Sequence, residues 1–181
     1  MVDEMLEPAQ MPEEEIFRQR KDKLARLRTE EGYDPYLVDR FDRKHTLGYV
    51  RSAFEGLQAD EGGEETIVTA GRVMTLRRHG KAAFATLEDE HHRLQMYFQF
   101  DELGEKAYTF FKKWVDTGDL LGVAGRPFRT QRGELSLKVS QFTLLSKALR
   151  PLPEKWHGLK DQEVRYRQRY VDLIVTPKTR Q

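Results

Sequence analysis

No cysteine occurs among the 181 residues. That excludes disulfides and thiolate metal sites and fits a reducing compartment. No apolar run approaches the roughly 20 residues that a membrane-spanning helix requires. Residues 1–12 are acidic and carry neither the basic n-region nor the apolar h-region of a secretory signal. No signal peptide is therefore expected, and a soluble intracellular protein is. An excess of positive charge is also missing: 31 Lys and Arg stand against 30 Asp and Glu, a formal net charge of +1. A nucleic acid could then be held only by local basic patches, not by the field of the whole molecule. The five histidines are scattered, and His91 and His92, placed next to each other in a strand, would point to opposite faces, so no metal site is expected. A phosphate-binding Gly-rich loop, a nucleophile constellation and a catalytic triad are absent too, so no catalytic residue is assigned.

What is present is one good domain with accessory helices, since the hydrophobic fraction is 38% and charged residues make up 34%. Pro12 and the acids Glu13, Glu14 and Glu15 open a helix in which Ile16, Phe17, Leu24 and Leu27 form a narrow apolar stripe, and Gly32 ends it. Arg18, Arg20, Lys21, Lys23, Arg26 and Arg28 surround the stripe. They are either a solvated face with acidic neighbours or a surface for a phosphate backbone. Thr46 reads as the N-cap of a second helix, Leu47–Leu57, with Leu47, Val50, Phe54 and Leu57 on the side that packs. The loop 59–65 follows, and the domain boundary is placed there: residues 1–59 are a leader and two helices, 60–148 a barrel domain, and 149–181 a connector.

Alternation of side-chain character governs the middle of the chain. Ala83, Ala85 and Leu87 oppose Phe84 and Thr86. Leu94, Met96 and Phe98 oppose Arg93, Gln95, Tyr97 and Gln99. This period of two marks strands with one buried face. The other face offers a Phe, a Tyr, a Gln amide and Arg side chains, the inventory for stacking and edge-reading unpaired bases. A first strand, Thr66–Leu76, precedes them with Gly71 as its bend or bulge, and Arg77–Lys81 forms a basic turn. A helix over Asp101–Val115 then carries Leu103, Ala107, Phe110, Phe111 and Trp114 at helical spacing. Strands Leu120–Arg129 and Glu134–Lys147 flank a hairpin turn at Thr130–Gly133. Three strands, a helix and two strands give a mainly β, α+β chain whose order is that of the five-stranded OB-fold barrel, a fold that binds oligonucleotides through strands 2 and 3 and the loops after strands 1 and 4. The basic turn, Phe84, Gln95 and the Thr130–Gly133 hairpin all fall on that one face. Asp161 reads as the cap of a last helix, Gln162–Val175.

The segment Leu149-Arg150-Pro151-Leu152-Pro153-Glu154-Lys155-Trp156-His157-Gly158-Leu159, continued by Arg165-Tyr166-Arg167-Gln168-Arg169-Tyr170, resembles the bacterial class II lysyl-tRNA synthetases, where it joins the anticodon-binding and catalytic domains. Ala70–Thr75, Gly80–Phe84 and Arg129–Ser136 are similar to the same family's OB-fold. The resemblance implies that Phe84 stacks the central anticodon uridine, Gln95 bonds that base, Glu134 helps read the neighbouring uridine and Arg77 positions the anticodon loop. Arg78, Lys81, Arg93, Tyr97 and Arg132 are further candidate RNA contacts. It also implies a cytoplasmic lysine–tRNA ligase with tRNA(Lys) as partner, a homodimer in the complete enzyme, and ATP and magnesium used only by a catalytic domain expected beyond Gln181. These residues alone are not expected to aminoacylate. A free-standing tRNA or single-strand binder acting in trans and an assembly module stay open as alternatives, as do the roles of Arg165, Arg167 and Arg169.

Overall fold

A computed structural model describes residues 12–152 and 162–176. Helix α1 (Glu13–Glu30) leads through a short 3-10 turn at Pro35–Leu37 to α2 (Leu47–Ala53). Strands β1 (Ile67–His79), β2 (Ala82–Glu88) and β3 (Arg93–Gln99) follow. Helices α3 (Phe100–Leu103) and α4 (Glu105–Trp114) come next, then β4 (Leu120–Arg129) and β5 (Leu135–Ser146). Two short helices, α5 (Gln162–Arg167) and α6 (Arg169–Val175), complete the described chain.

The five strands close into a barrel in the order β1-β2-β3-β5-β4. All neighbours are antiparallel except β3 and β5, which run parallel because α3 and α4 carry the chain across one end before β4. The expected alternation is what fills the interior: Ala83, Ala85 and Leu87 of β2 and Leu94, Met96 and Phe98 of β3 are all buried. Ile67, Leu121, Val123, Leu137 and Val139 complete the wall. Helix α4 plugs the barrel end, with the Phe111 ring stacked on Phe98 at a centroid distance of 3.9 Å. Trp114 is buried as its spacing predicts, and its Nε1–H donates to Glu31 Oε1 at 3.0 Å. Leu27 of α1 and Leu47 and Val50 of α2 join the same core. Thr46 caps α2 by accepting from the Tyr49 N–H at 3.1 Å.

Several boundaries differ from expectation for local reasons. Strand β1 runs on to His79, with Arg77, Arg78 and His79 paired to Phe84, Ala83 and Ala82, so the basic turn shrinks to Gly80 and Lys81. The bulge in β1 falls between Val73 and Thr75, not at Gly71. Gly71 instead allows close approach: a Cβ there would sit 2.8 Å from the Glu88 carbonyl oxygen. The single helix expected over 101–115 is split at Gly104, whose φ of 79° no L-residue adopts cheaply. Helix α2 stops at Ala53 because the Arg129 guanidinium takes the carbonyls of Glu55 and Leu57 at 2.6 and 2.5 Å. His91 and His92 sit in the turn before β3, where Asp89 Oδ1 accepts both their N–H groups. The last helix is broken at Gln168. It buries Asp172 and Val175, leaving Tyr166, Tyr170 and Leu173 exposed. Arg167 pairs with Glu163, and Arg169 with Asp172. The leader 1–11, the connector 153–161 with Trp156 and the expected cap Asp161, and the Arg165 side chain lie outside the described residues.

The basic stripe of α1 is largely occupied within the chain. Arg18 pairs with Glu15, Arg26 with Glu30 and Arg28 with Asp34, while Lys23 reaches Asp116 at 2.7 Å and Arg20 donates to the Ala148 carbonyl at 2.7 Å. Those partners favour the packed, solvated reading over a phosphate-binding helix. Lys23 belongs to a buried charge cluster at the barrel end. Lys147 Nζ, fully buried, donates to Asp116 Oδ2, Asp119 Oδ2 and the Trp114 carbonyl at 2.7, 2.6 and 2.7 Å. Burial pushes the Asp116 carboxyl up, but the Lys147 and Lys23 ammonium groups outweigh it and hold it below its ordinary value. A depressed folded-state pKa contributes stability above the ordinary aspartate value, and that contribution is lost as pH falls through the lowered one. Urea midpoints should therefore decline as pH drops below about 4, the ordinary aspartate range. Asp116→Asn should flatten that decline, and an unchanged acid limb in the variant would remove Asp116 from the account.

Candidate nucleic-acid interface

Residues paired directly across neighbouring strands share a face of the sheet, so register alone defines the outer surface of the barrel. Arg77 of β1 pairs with Phe84 of β2, Phe84 with Tyr97 of β3, Tyr97 with Lys138 of β5, and Lys138 with Arg126 of β4. A second row lies beside it: Thr75, Thr86, Gln95, Ser136 and Phe128, again in direct register. Both rows face away from the apolar interior. Together they place aromatic rings and cations on one continuous strip.

Within the strip the rings touch. Phe84 and Tyr97 stack with centroids 4.8 Å apart and planes 23° from parallel, and Phe128 lies tilted 5.8 Å from Tyr97. Phe84 is therefore half-buried against Tyr97, not the fully exposed ring its strand position suggests. Stacked aromatic pairs contribute about 0.5–1.5 kcal/mol beyond their area, so the cluster is a preformed platform rather than loose side chains. Gln95 differs more sharply from a surface amide: only 7% exposed, it donates from Nε2 to Ser136 Oγ at 2.9 Å.

Around this centre the other predicted residues divide. Arg77 is exposed and forms no ion pair among the described residues, so its guanidinium is available at the edge of the aromatic cluster. Glu134 is exposed beside the hairpin, its N–H donating to Thr130 Oγ1 and its carbonyl accepting from the Thr130 N–H, both at 3.0 Å. Gly133, at φ 82°, makes that turn possible, and Arg132 is exposed at its tip. Arg129 holds the hairpin in place by donating to the Gly133 carbonyl while binding the 55–57 segment. Lys81 lies over the Phe100 ring at 5.3 Å. Arg78 is turned to the Val115 carbonyl at 2.5 Å, and Arg93 is paired with the buried Glu88. Structure thus brings Arg77, Phe84, Tyr97, Gln95 and Glu134 to one region and commits Arg78 and Arg93 to internal partners.

Phe128, Lys138, Arg126 and Ser136 also belong to the strip; the alternation of the fifth strand sets Ser136 and Lys138 on one face with Glu134, but sequence reasoning assigns none of the four an RNA contact. Lys138 is held by Glu102 of α3 at 2.9 Å. The signal for Ser136 is its place in the period-two run after Glu134. For Phe128 the alternation is masked by the register shift between Ala124 and Gly125.

A closed five-stranded barrel with stacked rings, an amide and cations on β2, β3 and the flanking turns is an OB-fold nucleic-acid-binding module. Residues 67–145 match the family of tRNA anticodon OB-fold nucleic acid binding domains. The match to curated proteins extends well beyond the barrel. Lysine--tRNA ligase of Syntrophomonas wolfei subsp. wolfei is 49% identical over 167 residues, covering 92% of this chain and 32% of that protein. The Moorella thermoacetica lysine--tRNA ligase is 47% identical over 169 residues, 93% of this chain and 33% of that protein. That of Shouchella clausii is 46% identical over 168 residues, 92% of this chain and 33% of that protein. The chain spans about a third of the length of these relatives. Residues 67–145 thus form an OB-fold nucleic acid binding domain, and nine-tenths of the chain is homologous to part of the lysine–tRNA ligases. No helix among the described residues is long and apolar enough to cross a membrane.

Proposed function

We propose that this chain is the tRNA-reading portion of a cytoplasmic lysine–tRNA ligase and that the strip on β2 and β3 recognises the tRNA(Lys) anticodon stem-loop. The carrying observation is the continuous register Arg77–Phe84–Tyr97 beside Thr86–Gln95–Ser136, which sets a stacking surface, an amide and a cation within reach of one unpaired base. Phe84 would stack the central uridine and Gln95 would bond it, Glu134 would serve the neighbouring uridine and Arg77 the loop backbone. Lys81 and Arg132, in the turns after β1 and β4, would add further RNA contacts. The homology to ligases over nine-tenths of the chain supports this reading over a free-standing binder. ATP, magnesium and the dimer contacts of a complete ligase would belong to its catalytic domain.

Titration of the chain with lysine-type and swapped-anticodon stem-loops, at two salt concentrations, tests the proposal. The lysine-type loop should bind more tightly at both, and equal affinities would leave only a generic strand binder. Arg77→Ala should weaken both loops and lower the slope of log affinity against log salt by about one, since one fewer phosphate is neutralised. A slope identical to the parent's would take Arg77 out of the phosphate contacts.

A further inference from the structure

The buried end of Gln95 sets which base edge the site can accept. A serine hydroxyl has one proton to give and lone pairs to receive with. The Ser136 hydroxyl donates to the Glu134 carbonyl at 3.2 Å, and its oxygen accepts the Gln95 Nε2–H at 2.9 Å. With that proton directed at Glu134, the hydroxyl can meet Gln95 only as an acceptor, so the amide must present its NH2 inward. The Gln95 carbonyl oxygen is left with no donor among the described side chains, and it is not among their buried unsatisfied atoms. Thr86, on the other flank of Gln95 in the same row, makes no hydrogen bond to it; its hydroxyl oxygen accepts from Thr75 Oγ1 at 2.7 Å.

We propose that Ser136 is a positioning residue that fixes the Gln95 amide with its carbonyl toward the RNA, and that the face therefore selects a base offering a ring N–H. Resting on the anticodon reading above, this names the chemistry of that choice. Uracil and guanine carry a ring N–H donor on the Watson–Crick edge, whereas cytosine and adenine present an acceptor nitrogen there. Aimed at that ring position, an outward carbonyl accepts from the first pair and meets a lone pair on the second, whose exocyclic amine donors lie one position away. A pyrimidine stacked at Phe84 would thus be read as uridine and refused as cytidine. The same hydroxyl ties the amide to the main chain of Glu134, so the two base-reading side chains are held as one unit.

Two measurements separate this inference from the reading it rests on. In the RNA-free chain, the Gln95 side-chain NH2 protons should exchange slowly with solvent, and Ser136→Ala should release them. Fast exchange in the parent would overturn the assigned orientation whatever the RNA does. With stem-loops carrying uridine or cytidine at the central anticodon position, the parent should prefer uridine by about 10-fold, the scale of one hydrogen bond made against one refused. Ser136→Ala and Gln95→Ala should each bring the ratio close to one, and the double variant should lie no lower. Should the alanine variant fail to fold, Ser136→Cys keeps the volume while replacing the hydroxyl with a weak acceptor and should lower the ratio likewise. A uridine preference that survives loss of the hydroxyl overturns the positioning role while leaving anticodon binding intact. A parent with slow amide exchange but no base preference overturns the selection, and the anticodon reading with it.

Discussion

Lys147→Met should cost the fold about 3–5 kcal/mol, the range for removing one partner from a buried ion pair. The lysine side chain is fully buried and all its ammonium protons are used, on Asp116, Asp119 and the Trp114 carbonyl. Methionine keeps most of the volume, so the loss isolates charge from packing. What it leaves behind is worse than what it removes: Asp119, itself fully buried, would keep the hydrogen bonds from the backbone N–H groups of Asp116 and Ala148 but lose its ammonium partner. Burial already pushes the Asp119 carboxyl above its ordinary value with Lys147 in place. A raised folded-state pKa contributes stability at low pH and loses it as pH rises through the raised value. The gap between variant and parent should therefore narrow as pH falls toward the carboxylate range, because the stranded acid can then take a proton. Urea unfolding at neutral and mildly acidic pH reads both effects through the midpoint. A neutral-pH loss under about 1 kcal/mol, the scale of an exposed pair, would mean the cluster behaves as a surface network.

That lysine also marks where sequence reading stops. A Lys at the end of an apolar strand is expected to reach solvent, and its carboxylate partners lie in the turn after α4, 31 and 28 positions away. Only closure of the barrel brings them together. The strands themselves were legible because Ala83–Leu87 and Leu94–Phe98 alternate without interruption, and a one-residue slip would expose the whole core row. Phe84 and Tyr97 could be assigned to the outer face on the same grounds, but not to each other, since their stacking depends on the β2–β3 register. Gln95 reads as a surface amide until β5 arrives alongside in parallel and covers it with Ser136. Local pattern shows which way a side chain points. What it meets there is decided by strands remote in the chain.

Tyr97→Ala should lower affinity for a lysine-type anticodon stem-loop by about 10- to 100-fold, corresponding to the roughly 1–3 kcal/mol carried by one base–aromatic platform. Tyr97 is the middle of the three rings, stacked on Phe84 and in contact with Phe128. Removing it strips Phe84 of the neighbour that fixes its plane, so the effect should approach that of Phe84→Ala even if Tyr97 itself never meets a base. Tyr97→Phe, which keeps the ring, should stay close to the parent. The double variant of Tyr97→Ala with Phe84→Ala should lose much less than the sum of the two, as expected for residues that act as one unit. Salt dependence provides an internal control. No phosphate contact is removed, so the slope of log affinity against log salt should match the parent, in contrast to Arg77→Ala. Additive losses from the two ring variants would mean that Tyr97 and Phe84 serve separate bases, and the strip would then be two adjoining sites instead of a single platform.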